Sequence, residues 1–199
     1  MVDLQNKWRL QMPDAEVYHW PDFFTTEQSD MYLQELISTV AWRQEQIEIF
    51  GKQILLPRLT AWYGDPGKSY SYSGIQNHPE PWTATLLQIK RRVEVPAKVV
   101  FNSVLLNYYR HNQDSMGWHA DNEPELGSNP VIASVSLGQA RRFDFRHRIN
   151  KNLPKVSVLL APGSLLLMQG TTQHFWQHQV PKVSAQSGVR LNLTFRIIA

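Results

Sequence analysis

The chain has 199 residues, 42% of them hydrophobic and 19% charged, with a net charge of +3 and a pI near 9.2. That length suits one domain with a substantial core, and the mild basicity is compatible with a polyanionic partner without requiring one. There is no cysteine, which excludes disulfides, iron–sulfur clusters and thiolate zinc sites. No apolar run approaches the length that spans a bilayer, and the first eight residues lack the apolar centre of a signal peptide. A soluble, cytoplasmic protein with no membrane contact is the expectation.

In chain order, Thr25-Thr26-Glu27-Gln28 has the spacing of a capping box. Leu33, Leu36, Ile37 and Val40 then recur at helical intervals, predicting a helix whose apolar stripe is core. Ile47-Glu48-Ile49-Phe50-Gly51-Lys52 alternates and turns at glycine, and Tyr70-Ser71-Tyr72-Ser73-Gly74 is an aromatic loop. A second helix is predicted over 81–92, with Pro81 in its first turn and Leu86, Leu87 and Val93 as its buried stripe.

Beyond Ala97 the character changes. β-rich runs at 99–109, 131–137, 142–146, 156–160, 164–168 and 189–198 are separated by clusters of Gly, Pro and Asn. Many short strands with turns between them indicate a sandwich or jelly roll. The expected fold is one domain over 1–199, mainly β with flanking helices (α+β). Its double-stranded β-helix core covers about 97–199, and about 1–96 supplies helices and a lid.

His119-Ala120-Asp121, answered far along the chain by His178, carries the chemistry. Two imidazoles and one carboxylate are the set that holds non-haem Fe(II) on one face and leaves coordination positions open. On an extended backbone, residues i and i+2 point to the same side. His174 competes with His178 for the third position, and spacing alone does not choose. His111 and His147 sit among loop and charged residues, as solvated or supporting groups. His19 and His78 have no other ligand types nearby and receive no role.

The last run, Val189-Arg190-Leu191-Asn192-Leu193-Thr194-Phe195-Arg196-Ile197, alternates with period two. Leu191, Leu193, Phe195 and Ile197 share one face; Arg190, Asn192, Thr194 and Arg196 share the other. A solvated polar face is the ordinary meaning of that pattern. Beside a metal triad it reads differently, because guanidinium groups suit bidentate carboxylate recognition. A dicarboxylate such as 2-oxoglutarate needs one anchor per end, and its keto-acid end fits two iron positions while O2 takes the third. Asn107 and Tyr109, two apart on a predicted strand, share a face as well.

Several stretches together resemble the AlkB family of Fe(II)/2-oxoglutarate-dependent dioxygenases. They are Asn107-Tyr108-Tyr109-Arg110, Gly117-Trp118-His119-Ala120-Asp121-Asn122-Glu123-Pro124, Ile132-Ala133-Ser134-Val135-Ser136-Leu137-Gly138, Arg142-Phe143-Asp144-Phe145-Arg146-His147, His178 and the closing Arg190 to Arg196 motif. The match runs in order from about Phe50 to the C-terminus. The resemblance implies oxidative demethylation of N-alkylated bases, such as 1-methyladenine and 3-methylcytosine in DNA, with Fe(II), 2-oxoglutarate and O2. An RNA, protein or small-molecule substrate is the alternative. The implied partner is methylated nucleic acid, single- or double-stranded, bound by a monomer.

The same resemblance implies roles. His178, shortly before Pro181, becomes the third metal ligand. Arg190 with Tyr109 and Asn192 would hold the distal carboxylate of 2-oxoglutarate; Arg196 with Asn107 would hold the chelating end, and Thr194 belongs to the same motif. Tyr72 and the His119 ring would sandwich the target base, with Tyr70 touching it and Ser73 in the same loop. Glu123 matches an acidic position that senses the exocyclic amino group. Phe50 matches the wedge by which duplex-acting relatives fill the gap left by a flipped nucleotide. Those relatives carry a basic run after the third ligand where this chain has only Lys182. Lys52, Arg58 and Arg110 read as phosphate contacts.

Overall fold

Residues 6–49, 51–67, 70–72 and 75–199 are described by a computed structural model. Short strands Trp8–Arg9 (β1) and Glu16–Trp20 (β2) lead into the helix Thr26–Thr39 (α1). Two hairpins follow, Gln46–Ile49 (β3) with Lys52–Leu55 (β4) and, after Leu59–Gly64 (β5), Tyr70–Tyr72 (β6) with Ile75–Asn77 (β7). Glu80–Pro81 (β8) precedes the helix Ala84–Ala97 (α2). Then come Ser103–Tyr109 (β9), Met116–His119 (β10), Ile132–Gly138 (β11), Arg141–His147 (β12) and Val156–Leu160 (β13). Ser164–Gln169 (β14), the single-turn helix Thr172–Phe175 (α3), Trp176–Val180 (β15) and Arg190–Arg196 (β16) complete the chain.

Among the described residues the strands form two main sheets. The larger has the order β1-β2-β14-β11-β16-β9-β5-β8, and the smaller β10-β15-β12-β13. All pairings in both are antiparallel except β5 with β8. This is the jelly-roll architecture expected from the strand pattern.

Period-two alternation decides what each face of the large sheet meets. Leu191, Leu193 and Phe195 of β16 are fully buried in one cluster with Leu33 and Leu36 of α1 and Leu86, Ile89 and Val93 of α2. The helices thus cover the outer face, each buried Leu or Phe contributing about 1.5–3 kcal/mol. The second cluster, with Tyr109, Phe143, Phe145, Met168 and Trp176, fills the space between the sheets. The polar alternate residues of β16 therefore face a protein interior, not solvent.

The first helix begins where the capping box places it. Thr25 accepts from the Gln28 N–H, and Gln28 Oε1 accepts from the Thr25 N–H, both at 3.2 Å. The second helix differs from expectation. Its N-cap is Thr83, Pro81 lies in β8, and Ile89 is buried while Leu87 is only half-buried. It continues five residues past Arg92 to Ala97, because Pro96 removes only one donor in the last turn and Lys98 closes it in a left-handed conformation (φ 56°).

The last strand ends at Arg196 and β9 starts at Ser103, both inside their predicted limits, for one shared reason. The Asn102 amide bonds both backbone groups of Ile198, at 2.7 and 2.8 Å, in place of a strand ladder. Strands β2, β5, β10 and β15 were not anticipated. Two of them lie in the first 96 residues yet join the large sheet, so residue 97 marks no seam.

Candidate active site

His119 closes β10 and His178 sits in the middle of β15, directly opposite it across the ladder. An irregular register between Met116 and His119 re-aims the end of β10. Asp121 follows two residues later, its N–H donating to Gln173 Oε1 at 3.0 Å. The three side chains converge: one ligand atom from each lies within 4.8 Å of the other two. Asp121 Oδ1 is 3.9 Å from His119 Nε2, and Asp121 Oδ2 is 3.8 Å from His178 Nε2. His119 Nδ1 lies 2.9 Å from the Gly117 carbonyl, which can only accept, so Nε2 is the nitrogen left with a lone pair. Phe143 stacks on the His178 ring at 5.1 Å.

The charge states suit metal binding. Burial drives the His178 pKa down to about 3, helped by His119 and Arg196 and opposed by Asp121, so its imidazole is neutral. Burial alone would raise Asp121, yet Arg196 and the two histidines outweigh it and hold the carboxyl below its usual value. A carboxylate with two imidazoles on one side of a cleft is a donor set for Fe(II).

Next to the triad lies the polar face of β16. Asn107, Tyr109, Asn192, Thr194 and Arg196 line one cleft with His119, Asp121 and His178. In the ladder Arg190 is opposite Tyr109, and Asn192 opposite Asn107. Arg190 is 1% exposed, packs over the Tyr109 ring at 5.1 Å, and donates from Nη2 to Ser136 Oγ at 2.9 Å. Its Nε and Nη1 have no protein partner, nor has Arg196 Nε. Buried guanidinium N–H groups left unsatisfied cost free energy unless a ligand accepts from them. Two carboxylates of a keto diacid are acceptors of that kind, so the residues present fit 2-oxoglutarate as well as iron.

One expected role changes. Asn192 lines the cleft, but both its amide hydrogens are committed, to Ser134 Oγ (2.7 Å) and the Val135 carbonyl (3.1 Å). Its oxygen accepts from Thr194 Oγ1 at 3.0 Å. It orders the hydroxyls of β11 and β16 and has no donor left for the distal carboxylate. Ser134 and Ser136 were missed as site residues, although their i, i+2 spacing in β11 was visible.

Other assignments sort by position. His174 is exposed on α3 and pairs with Asn129 at 3.1 Å, away from the triad, which settles the choice left open by spacing. His111 is exposed near Asp114. His147, expected to be solvated or to support the site, is buried against Trp176 with its Nδ1 accepting from two backbone N–H groups. Arg110 is locked in a two-pronged pair with Asp114 (2.7 and 3.0 Å), and Arg58 is buried, so neither is a free phosphate contact. Lys52 is exposed on β4. Glu123 is half-buried at the start of the turn Pro124–Leu126. Phe50 and Ser73 lie outside the described residues, as do the side chains of Tyr70 and Tyr72, whose backbone forms β6.

Residues 16–196 match the family model of the 2OG-Fe(II) oxygenase superfamily. The chain is 40% identical to mouse alpha-ketoglutarate-dependent dioxygenase alkB homolog 3, over all of this chain and 72% of the relative. It is 37% identical to human DNA oxidative demethylase ALKBH2, over 96% of this chain and 77% of the relative. The chain belongs to the AlkB family of 2OG-Fe(II) oxygenases. Its fold matches the solved structure of OsALKBH1 with a TM-score of 0.63 at 16% identity, covering 95% of this chain and 99% of that one. As an AlkB-family member it is an Fe(II)- and 2-oxoglutarate-dependent dioxygenase that consumes O2.

Proposed function

We propose that the protein is a monomeric, cytoplasmic oxidative demethylase that removes N-methyl groups from damaged bases, with 1-methyladenine and 3-methylcytosine in DNA as its substrates. The observation that carries this is the convergence of His119, Asp121 and His178 beside two arginines, Arg190 and Arg196, that carry buried N–H groups without a protein acceptor. The human relative at 37% identity, named a DNA oxidative demethylase, supports a nucleic-acid base as the target.

Fe(II), when bound with 2-oxoglutarate and O2, supplies the oxidation that turns an N-methyl into an N-hydroxymethyl group while the keto acid becomes succinate and CO2. The hydroxymethyl adduct then releases formaldehyde and the unmodified base. His119, Asp121 and His178 would hold the metal from one side. Arg190, beside Tyr109, would neutralise the distal carboxylate in a place where burial excludes water and strengthens the attraction. Arg196, bonded to Asp121, would meet the chelating end together with the Asn107 amide. The target base must leave its stack to reach the cleft, and the β3–β4 and β6–β7 hairpins carry the residues assigned to receive it.

The test incubates purified protein with Fe(II), 2-oxoglutarate and oligonucleotides of DNA or RNA, single- or double-stranded, each bearing one methylated base. Mass spectrometry reports methyl loss, and formaldehyde and succinate are measured alongside. Methyl loss from DNA supports the proposal. 2-Oxoglutarate turnover with every methylated oligonucleotide left intact overturns the nucleic-acid reading and moves the substrate to protein or small molecules.

A further inference from the structure

Arg58 stands between Pro57 and Leu59 at the start of β5, a basic residue that by sequence alone suits a phosphate contact. The structure buries it to 7% exposure. Its Nε donates to Asn107 Oδ1 at 2.8 Å, and its Nη1 to the Ser115 carbonyl at 3.3 Å. Backbone bonds fix the neighbourhood: the Ser115 N–H donates to the Pro57 carbonyl at 2.9 Å, and the Arg58 N–H to the Leu56 carbonyl at 2.8 Å. Ser115 leads directly into β10 and so to His119.

A guanidinium has donors and no acceptor. The end of the Asn107 amide that meets Arg58 is therefore its oxygen, and the NH2 group is the end left for the cleft that Asn107 lines with the triad. An asparagine amide has nearly the same shape either way round. Without a neighbour that tolerates only one end, it offers an oxygen as readily as a nitrogen, and an oxygen would repel a carboxylate. Asn107 gets its useful polarity from Arg58.

We propose that Arg58 is a positioning residue for the co-substrate: it fixes the Asn107 amide with its N–H donors toward the carboxylate at the metal-binding end. This rests on the assignment of Asn107 to 2-oxoglutarate made above. It also assigns a buried role to an arginine whose sequence position suggests nucleic acid.

The full chain, loaded with Mn(II) so that no turnover occurs, is titrated calorimetrically with 2-oxoglutarate. Oligonucleotide affinity and melting temperature are measured on the same samples. Arg58→Met removes the donor while keeping a straight apolar stem, and should raise the 2-oxoglutarate Kd roughly tenfold, as expected for losing a hydrogen bond to a charged group. Oligonucleotide affinity should stay unchanged. Arg58→Gln, a milder change for the case where the Met variant does not fold, can satisfy either end of Asn107, and should weaken 2-oxoglutarate binding several-fold. Arg58→Lys, which keeps a donor on a long stem, should recover most of the affinity.

Weakened oligonucleotide binding with an unchanged 2-oxoglutarate Kd in the Met or Gln variant overturns the inference and returns Arg58 to phosphate contact. Asn107→Ala separates the two levels. If it leaves the Kd unchanged, the co-substrate assignment of the cleft fails. If it weakens binding while Arg58→Met and Arg58→Gln do not, only the Arg58 inference fails.

Discussion

Arg196 Nη2 donates to Asp121 Oδ1 at 2.6 Å, so an arginine assigned to the co-substrate is already bonded to the carboxylate of the triad. On that assignment one side chain would serve metal and organic acid together. Arg196→Gln should lower metal affinity about 10- to 100-fold, the usual cost of losing a partner that orients a ligand, and lower 2-oxoglutarate affinity as well. Titrating Mn(II) first and 2-oxoglutarate second resolves the two losses. An unchanged metal affinity would show that the 2.6 Å bond is incidental.

Arg190 tests geometry rather than charge. Its guanidinium is buried against Tyr109, and two N–H groups of its planar fork, at Nε and Nη1, have no protein acceptor and are left to donate to a ligand. Arg190→Lys keeps the charge and loses the fork, and should weaken 2-oxoglutarate binding by about 2 kcal/mol or roughly thirtyfold. Calorimetry giving wild-type affinity would contradict that assignment.

The two late histidines give the sharpest contrast. His178→Ala should abolish Fe(II)-dependent succinate release, because it removes one of three ligands. His174→Ala changes an exposed residue paired with Asn129 and should leave turnover near wild type. Equal losses in both variants would mean that the convergence at His178 does not hold the metal.

Stability of the metal-free protein should depend on pH in a defined direction. His178 titrates at 6.5 in an unfolded chain and at about 3 in the folded one, chiefly because of burial. Below pH 6.5 the unfolded state takes up a proton that the folded state refuses, so stability falls progressively from about pH 6.5 toward 3. Asp121, held below its usual value, adds to the loss at the acid end. Thermal melts across that range should show the decline, and His178→Asn should flatten it. A wild-type profile as flat as the variant's rules the linkage out.

The metal triad and the strand carrying both arginines could be read from residue order, because ligand chemistry and period-two alternation are local properties of a sequence. Arg190, Asn192, Thr194 and Arg196 share a face for backbone reasons alone. Whether that face meets water or another sheet is not local, and only the closure of β10-β15-β12-β13 over it decides. Arg58 and Asn192 failed for the same reason. Their hydrogen-bond partners, Asn107 and Ser134, are 49 and 58 residues away. Strands β2 and β5 are not legible locally because their burial is set by neighbours distant in sequence, β14 and β9.

The β3–β4 and β6–β7 hairpins pair, among the described residues, only within themselves. The oxidising centre is anchored in the interior ladders β9-β16-β11 and β10-β15. Mutation can therefore lengthen, recharge or replace either hairpin without breaking a rung that holds the iron or the keto acid. The hairpins and the ladders that carry the triad can therefore evolve at different speeds.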